Sequence, residues 1–176
     1  MHFFCYFTIY VFLSSVIPLK NPVQSSNYQL YGCVNNKCTA EKAIDGDLGT
    51  RTTTKSEPLT WWSAELEEQV QIEKILLYLD NYTHSKKRYS KIKVEVRQSN
   101  NTGWKICKDT YSVEGNLAPH EVYCDVNVPP ARVVGVVSEF GSDLVIREIY
   151  VFGTAGNAYS STFNYTRVGV KRRSEK

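Results

Sequence analysis

Histidine and methionine are scarce in this chain, and several motifs of common enzyme chemistry are missing. Among 176 residues there are three His and one Met. No GxSxG nucleophile elbow occurs, and no phosphate-binding P-loop. His120-Glu121 opens like the HExxH zinc helix, but Cys124 stands where the second His belongs. The segment from His120 to Cys124 also reads as a strand rather than a helix. Beyond the apolar N-terminus only His84 and His120 remain, so catalysis is not expected. No CxxC spacing supports a zinc site. The net charge of +3 is too weak to argue for nucleic acid, and no aromatic-and-basic RNA-binding constellation appears. There is no internal repeat and no long helical period. After residue 17 no apolar run approaches the roughly 20 residues of a membrane span.

What is present favours an all-β secreted domain. Twelve Tyr suit strands. Residues 1–17 are almost wholly apolar, with no acid, Lys or Arg, and carry the small pair Ser14-Ser15. This reads as a secretory signal peptide, with an uncleaved anchor as the alternative. Cys5 lies within it, leaving Cys33, Cys38, Cys107 and Cys124. An even count in a secreted chain points to two disulfides, and sequence permits three pairings. Sequons start at Asn81, Asn100 and Asn164, each in a loop-like or tail segment.

Strand patterns recur along the middle of the chain. Val70 to Leu79 begins with alternation and becomes a continuous apolar run. Ile92, Val94 and Val96 alternate with charged residues, as in a half-buried strand. Val133 to Val137 and Val145 to Phe152 complete the set. Asp45-Gly46, Asn101-Thr102-Gly103, Glu114-Gly115-Asn116 and Pro129-Pro130 supply turns. Several short strands separated by turns predict a sandwich or barrel. One domain is expected over residues 18–153, followed by a mobile polar tail at 154–176. That tail ends in a basic run in which Arg172-Arg173 offers a processing site.

Short phrases in a fixed order carry a resemblance. They are Gln24-Ser25-Ser26, Ala43-Ile44-Asp45-Gly46-Asp47, Trp61-Trp62 with Glu65-Leu66, and Arg147-Glu148-Ile149-Tyr150-Val151-Phe152-Gly153. As an ordered set they resemble the discoidin-type (F5/8 type C) galactose-binding-like domain, and within it the F-type lectins. The resemblance covers about residues 18–153 and implies an all-β, discoidin-like β-sandwich or jelly roll that binds rather than catalyses. It favours pairing Cys107 with Cys124, which leaves Cys33 for Cys38. It implies a structural Ca2+ held by the Lys42 carbonyl, Asp45, Asp47, a Thr from the run beginning at Thr50, the Arg147 carbonyl and Glu148. An Arg147 side chain paired with one of those acids would argue against the metal.

For the sugar site the same resemblance implies a His before the Trp pair and two Arg flanking an Asp. Here Asp80 matches the Asp, Tyr78 stands at the first Arg, Arg88 matches the second, and Thr53 falls near the His position. Lys86 is a substitute donor, though it lacks the planar guanidinium fork. A glycan on Asn81 would cover the mouth of this site. The implied partner is a glycan or glycoprotein. The alternative is an adhesion module for a cell-surface protein or anionic lipid, which the polar loops at 47–60 and 80–90 make a poor membrane inserter. One Trp of the Trp61-Trp62 pair is expected between the sheets, and Trp104 under a strand.

Overall fold

The computed structural model describes residues 15–80, 91–99, 102–111, 118–125, 127–139 and 141–155. Among them lie nine strands: β1 Ser15–Ile17, β2 Leu19–Gln24, β3 Thr52–Thr53, β4 Thr60–Leu79, β5 Ile92–Arg97, β6 Lys105–Tyr111, β7 His120–Tyr123, β8 Ala131–Ser138 and β9 Val145–Ala155. Two 3-10 turns, Val34–Asn36 and Ala40–Ala43, sit in the long connection after β2. Every strand pairing is antiparallel.

β4 organises the sandwich. Its first part pairs with β2 and β8, and β8 continues to β5 and β6. Its second part pairs with β9 and β7, and β9 continues to β1 and β3. The exchange of partners occurs at Val70, which pairs with Ala131 on one side and Ala155 on the other. Just before it Glu67, Glu68 and Gln69 are exposed, and the register against β8 shifts between Glu65 and Val70. A strand that bends at such an irregularity can belong to two layers. The expected strand at 70–79 is thus the second half of a longer one.

The core lies between the layers. Leu66, Val70, Ile75, Leu77 and Leu79 enter it from β4, and Ile92, Val94 and Val96 from β5. Val134, Val136, Ile146, Ile149 and Val151 join them from β8 and β9. Trp62 is fully buried and donates its indole N–H to the Ala40 carbonyl at 2.9 Å. Its neighbour Trp61 points out of the sandwich. Trp104 departs from expectation, lying partly exposed across Gly135 rather than beneath a strand.

The motif residues have structural duties. The Gln24 amide nitrogen donates to Ser26 O, Asn27 Oδ1, Cys38 O and Thr53 O, and its carbonyl oxygen accepts from Thr52 Oγ1. Ser25 and Trp61 exchange backbone and hydroxyl bonds. Gly153 sits where a Cβ would stand 2.3 Å from Gln71 O, so no larger residue fits without moving the sheet.

Both disulfides form as expected, Cys33–Cys38 and Cys107–Cys124. Among the described residues the sheet runs from Ser15 to Ala155, and Ile17 is part of the core. Residues 1–14 of the expected signal peptide at 1–17, residues 156–176 of the expected tail at 154–176 and the sequon asparagines Asn81, Asn100 and Asn164 lie outside the described residues. Among the described residues no helix is long and apolar enough to cross a membrane.

Candidate functional site

Two clusters sit where the connections meet the ends of β4 and β9. The first is the Asp45 turn. Gly46 takes a positive φ of 76°, which closes the turn at no steric cost. Asp45 Oδ1 accepts from the Asp47 N–H at 3.0 Å, and Thr50 Oγ1 donates to Asp45 Oδ2 at 2.8 Å. Lys42 Nζ reaches Asp45 Oδ2 at 3.1 Å. Glu148 arrives from β9, 1% exposed, and accepts from the Gly46 N–H at 2.9 Å. The fold therefore joins residues about a hundred positions apart, as the motif order implied.

Electrostatics separates the acids of this turn. Burial raises the Glu148 carboxyl above its ordinary value, the Gly46 and Ile149 N–H groups oppose that, and Asp45 and Asp47 add repulsion. Burial also raises Asp45, but bonds from Thr50, the Asp47 N–H and Lys42 outweigh it and hold that carboxyl low. The donors are all oxygens, the type a hard cation selects. Among the described residues no three His, Cys, Asp or Glu side chains stand together at metal-ligand spacing. A full calcium set here therefore needs the Thr50 hydroxyl and backbone carbonyls as well. The Arg147 side chain turns to Asp80 instead, and Lys42 is a cation on Asp45.

The second cluster centres on Asp80, at the end of β4 and 3% exposed. Arg51 Nη1 donates to Asp80 Oδ2 at 2.9 Å. Arg147 donates to Asp80 Oδ1 from Nε at 2.9 Å and from Nη2 at 2.6 Å, and its Nη1 holds the Leu48 carbonyl. Arg147 is aimed this way by a bulge, since β9 carries one extra residue where Ile146 to Glu148 pass Tyr78 and Leu79. Charge-assisted bonds to both carboxylate oxygens fix the arrangement.

A small pocket of about 80 Å³ opens beside Asp80, walled by Tyr28, Tyr31, Arg51, Thr53 and Asp143. Tyr31 is 85% exposed, and its φ of 46° is a conformation that side-chain-bearing residues rarely adopt. The buried Thr53 hydroxyl has no hydrogen-bond partner among the described residues.

Asp80 and Thr53, both read from the sequence at the sugar site, line this one pocket. Tyr78 is not among its lining residues, and packs edge-on against Tyr150 with centroids 6.0 Å apart. Lys86 and Arg88 lie outside the described residues. Arg51 and the Arg147 guanidinium were missed as partners of Asp80. They fall outside the Arg-x-Asp pattern, because they come from segments distant in the sequence.

Residues 42–134 match the model of an F5/8 type C family described as a NedA-like, galactose-binding domain. A comparison with curated protein sequences finds no match. A Clostridium perfringens module solved in complex with GalNAc-β-1,3-galactose is similar, with a TM-score of 0.64 and 22% identity, over 79% of this chain and 100% of that one. The fucolectin from striped bass (Morone saxatilis) serum gives a TM-score of 0.61 and 23% identity, over 77% of this chain and 45% of that one. A fucose binding module from Streptococcus pneumoniae gives 0.57 and 21%, over 77% of this chain and 92% of that one. These likenesses are of fold. The family match spans more than half of the sequence, and the chain belongs to the F5/8 type C family of galactose-binding domains.

Proposed function

We propose that this domain is a secreted carbohydrate-binding module whose ligand docks at the Asp80 pocket. The observation that carries this reading is the convergence of Arg51 and Arg147 on buried Asp80 beside the unpartnered Thr53 hydroxyl. A sugar hydroxyl can pair with Thr53 and share the Arg51 guanidinium, while Tyr28 and Tyr31 offer aromatic walls to the C–H face of the ring. Arg147 acts from behind by holding Asp80. The names of the fold relatives, which include a fucolectin and a fucose binding module, support a glycan ligand. Compared with the family pattern the site is altered, with Arg51 taking the part that Tyr78 cannot. Two disulfides suit an oxidising compartment. The reading is of binding without chemistry.

A structural Ca2+ at the Asp45 turn is a second part of this proposal. Asp45, Asp47, Thr50 and Glu148 would hold it, with the Lys42 and Arg147 carbonyls completing the set. Glu148 favours this reading, because a buried carboxylate beside two others is stabilised by a cation. When bound, the ion would supply positive charge that offsets the repulsion among the three acids.

Arg51→Ala tests the site. At least one glycan recognised by the wild type is expected to lose its binding, while the melting temperature changes little because Arg147 still holds Asp80. Undiminished affinity of that variant for every glycan the wild type binds overturns the assignment.

A further inference from the structure

The outer face of the β2-β4-β8-β5 layer carries a second groove, built from residues that the Asp80 pocket does not use. Its volume is about 460 Å³, within the roughly 300–1,000 Å³ of small-ligand sites. Trp61 projects from β4 and is 36% exposed, and Trp104 comes from just before β6 and is 39% exposed. Large indoles left open on one face are unusual unless something covers them. Register explains how they share a surface. Trp61 pairs with Val137, and Gly135 lies between Ser63 and Glu95 in the next row.

Gly135 lets Trp104 lie down. A Cβ there would stand 3.0 Å from the indole Cη2, so the bare backbone is the seat for the ring. The Arg97 guanidinium stacks on the same ring, 4.5 Å from its centroid. Trp104 is therefore clamped in place while part of its surface stays in solvent. A stacking surface held rigid in advance loses little entropy on binding.

The polar groups decide the ligand chemistry. Glu95 and Glu139 line the groove. Lys93 Nζ bridges them, at 2.5 Å from Glu139 and 3.9 Å from Glu95. With Arg97 the two positive and two negative charges balance. A net-neutral groove gives no advantage to an ionic ligand. It does offer carboxylate acceptors beside flat apolar rings. A pyranose has the matching form, with one face of C–H groups and a rim of hydroxyls.

We propose that this groove is a second glycan site, separate from the Asp80 pocket, and that it binds a neutral pyranose residue of an oligosaccharide by stacking on Trp104 and Trp61. The site does not depend on the first. A domain with both would hold two glycan arms, or two points on one chain, and gain avidity from the pair.

The full chain in calcium is screened against an array of neutral oligosaccharides, and the bound ones are titrated by tryptophan fluorescence. Wild type, Arg51→Ala, Trp61→Ala, Trp104→Ala and Trp104→Phe are compared. The inference expects a neutral oligosaccharide that still binds Arg51→Ala. Its affinity falls by at least about tenfold in Trp104→Ala and is largely restored in Trp104→Phe. Should Trp104→Ala fail to fold, Trp61→Ala carries the same expectation. The inference is overturned if Arg51→Ala binds no neutral oligosaccharide. It is equally overturned if both Trp→Ala variants bind like the wild type, or if the groove proves to be the contact of a dimer that Trp104→Ala dissolves. Loss in Arg51→Ala alone removes this site and leaves the Asp80 reading standing. Loss in the Trp variants alone does the reverse.

Discussion

Asp80 holds two guanidinium groups from segments that meet only after folding. Removing its carboxylate leaves Arg51 and Arg147 facing one another with no shared anion. Asp80→Ala is expected to cost about 2 kcal/mol in a urea titration, a value below that of a fully buried pair because both arginines are partly exposed. Glu95 gives a residue-scale test by pH. Burial raises its carboxyl above the ordinary 4.5, Lys93 opposes this, and Glu139 adds to it. The charged groups facing it are Lys93, Glu139 and Arg97. The native state then keeps this proton to higher pH than the unfolded chain, so Glu95 contributes stability at low pH that is lost as pH rises above about 4.5. Glu95→Gln is expected to flatten that part of the stability–pH curve. An unchanged slope would show that Glu95 titrates normally.

Elements were legible to different degrees. The alternation of Ile92, Val94 and Val96 gave β5 with its buried face correct, because a half-exposed strand writes its period into the sequence. β4 was harder. Its polar stretch Glu67 to Gln69 looks like an interruption, yet it is the exposed bend of one strand serving two layers. Hydrophobic pattern records burial, and burial lapses at a bend even where the backbone continues. The Arg51–Asp80–Arg147 cluster was not legible for a related reason, since a bulge in β9 aims Arg147 and nothing in the local pattern marks a bulge. The closing Gly153 was legible as a motif, and the structure gives its cause. Gly153→Ala is expected to destabilise by about 2 kcal/mol through overpacking against Gln71 and Val70, measured by urea unfolding. The two disulfides should rank by loop length. Losing Cys107–Cys124, which spans 17 residues, is expected to cost about 3 kcal/mol in the chain-entropy model. Losing Cys33–Cys38, with a separation of 5, should cost about 2 kcal/mol on the same model.

At the scale of the molecule, a rigid sandwich presents loop clusters at its edge and one aromatic groove on its outer face. The Asp45 turn stands close in sequence to Arg51, so order in the turn is passed to the pocket through Leu48, whose carbonyl Arg147 holds. A cation binding only the folded state raises its stability with concentration. The wild type is therefore expected to melt lower in EDTA than in calcium, and Asp45→Ala to melt at one temperature in both. A wild-type melt indifferent to EDTA would remove the metal from the account. Family and fold were readable because ordered phrases mark fixed backbone duties, such as the Gln24 clamp and the Trp62 anchor. Ligand identity was not, because Arg51 and Arg147 meet at Asp80 only after folding, from segments far apart in the sequence.

The most direct test of the central claim is a glycan array probed with the folded, disulfide-intact wild type in calcium. The account expects selective binding to a small set of glycans, of which those docking at the Asp80 pocket are lost when it is emptied of Arg51. A folded protein that binds no glycan on the array would contradict it.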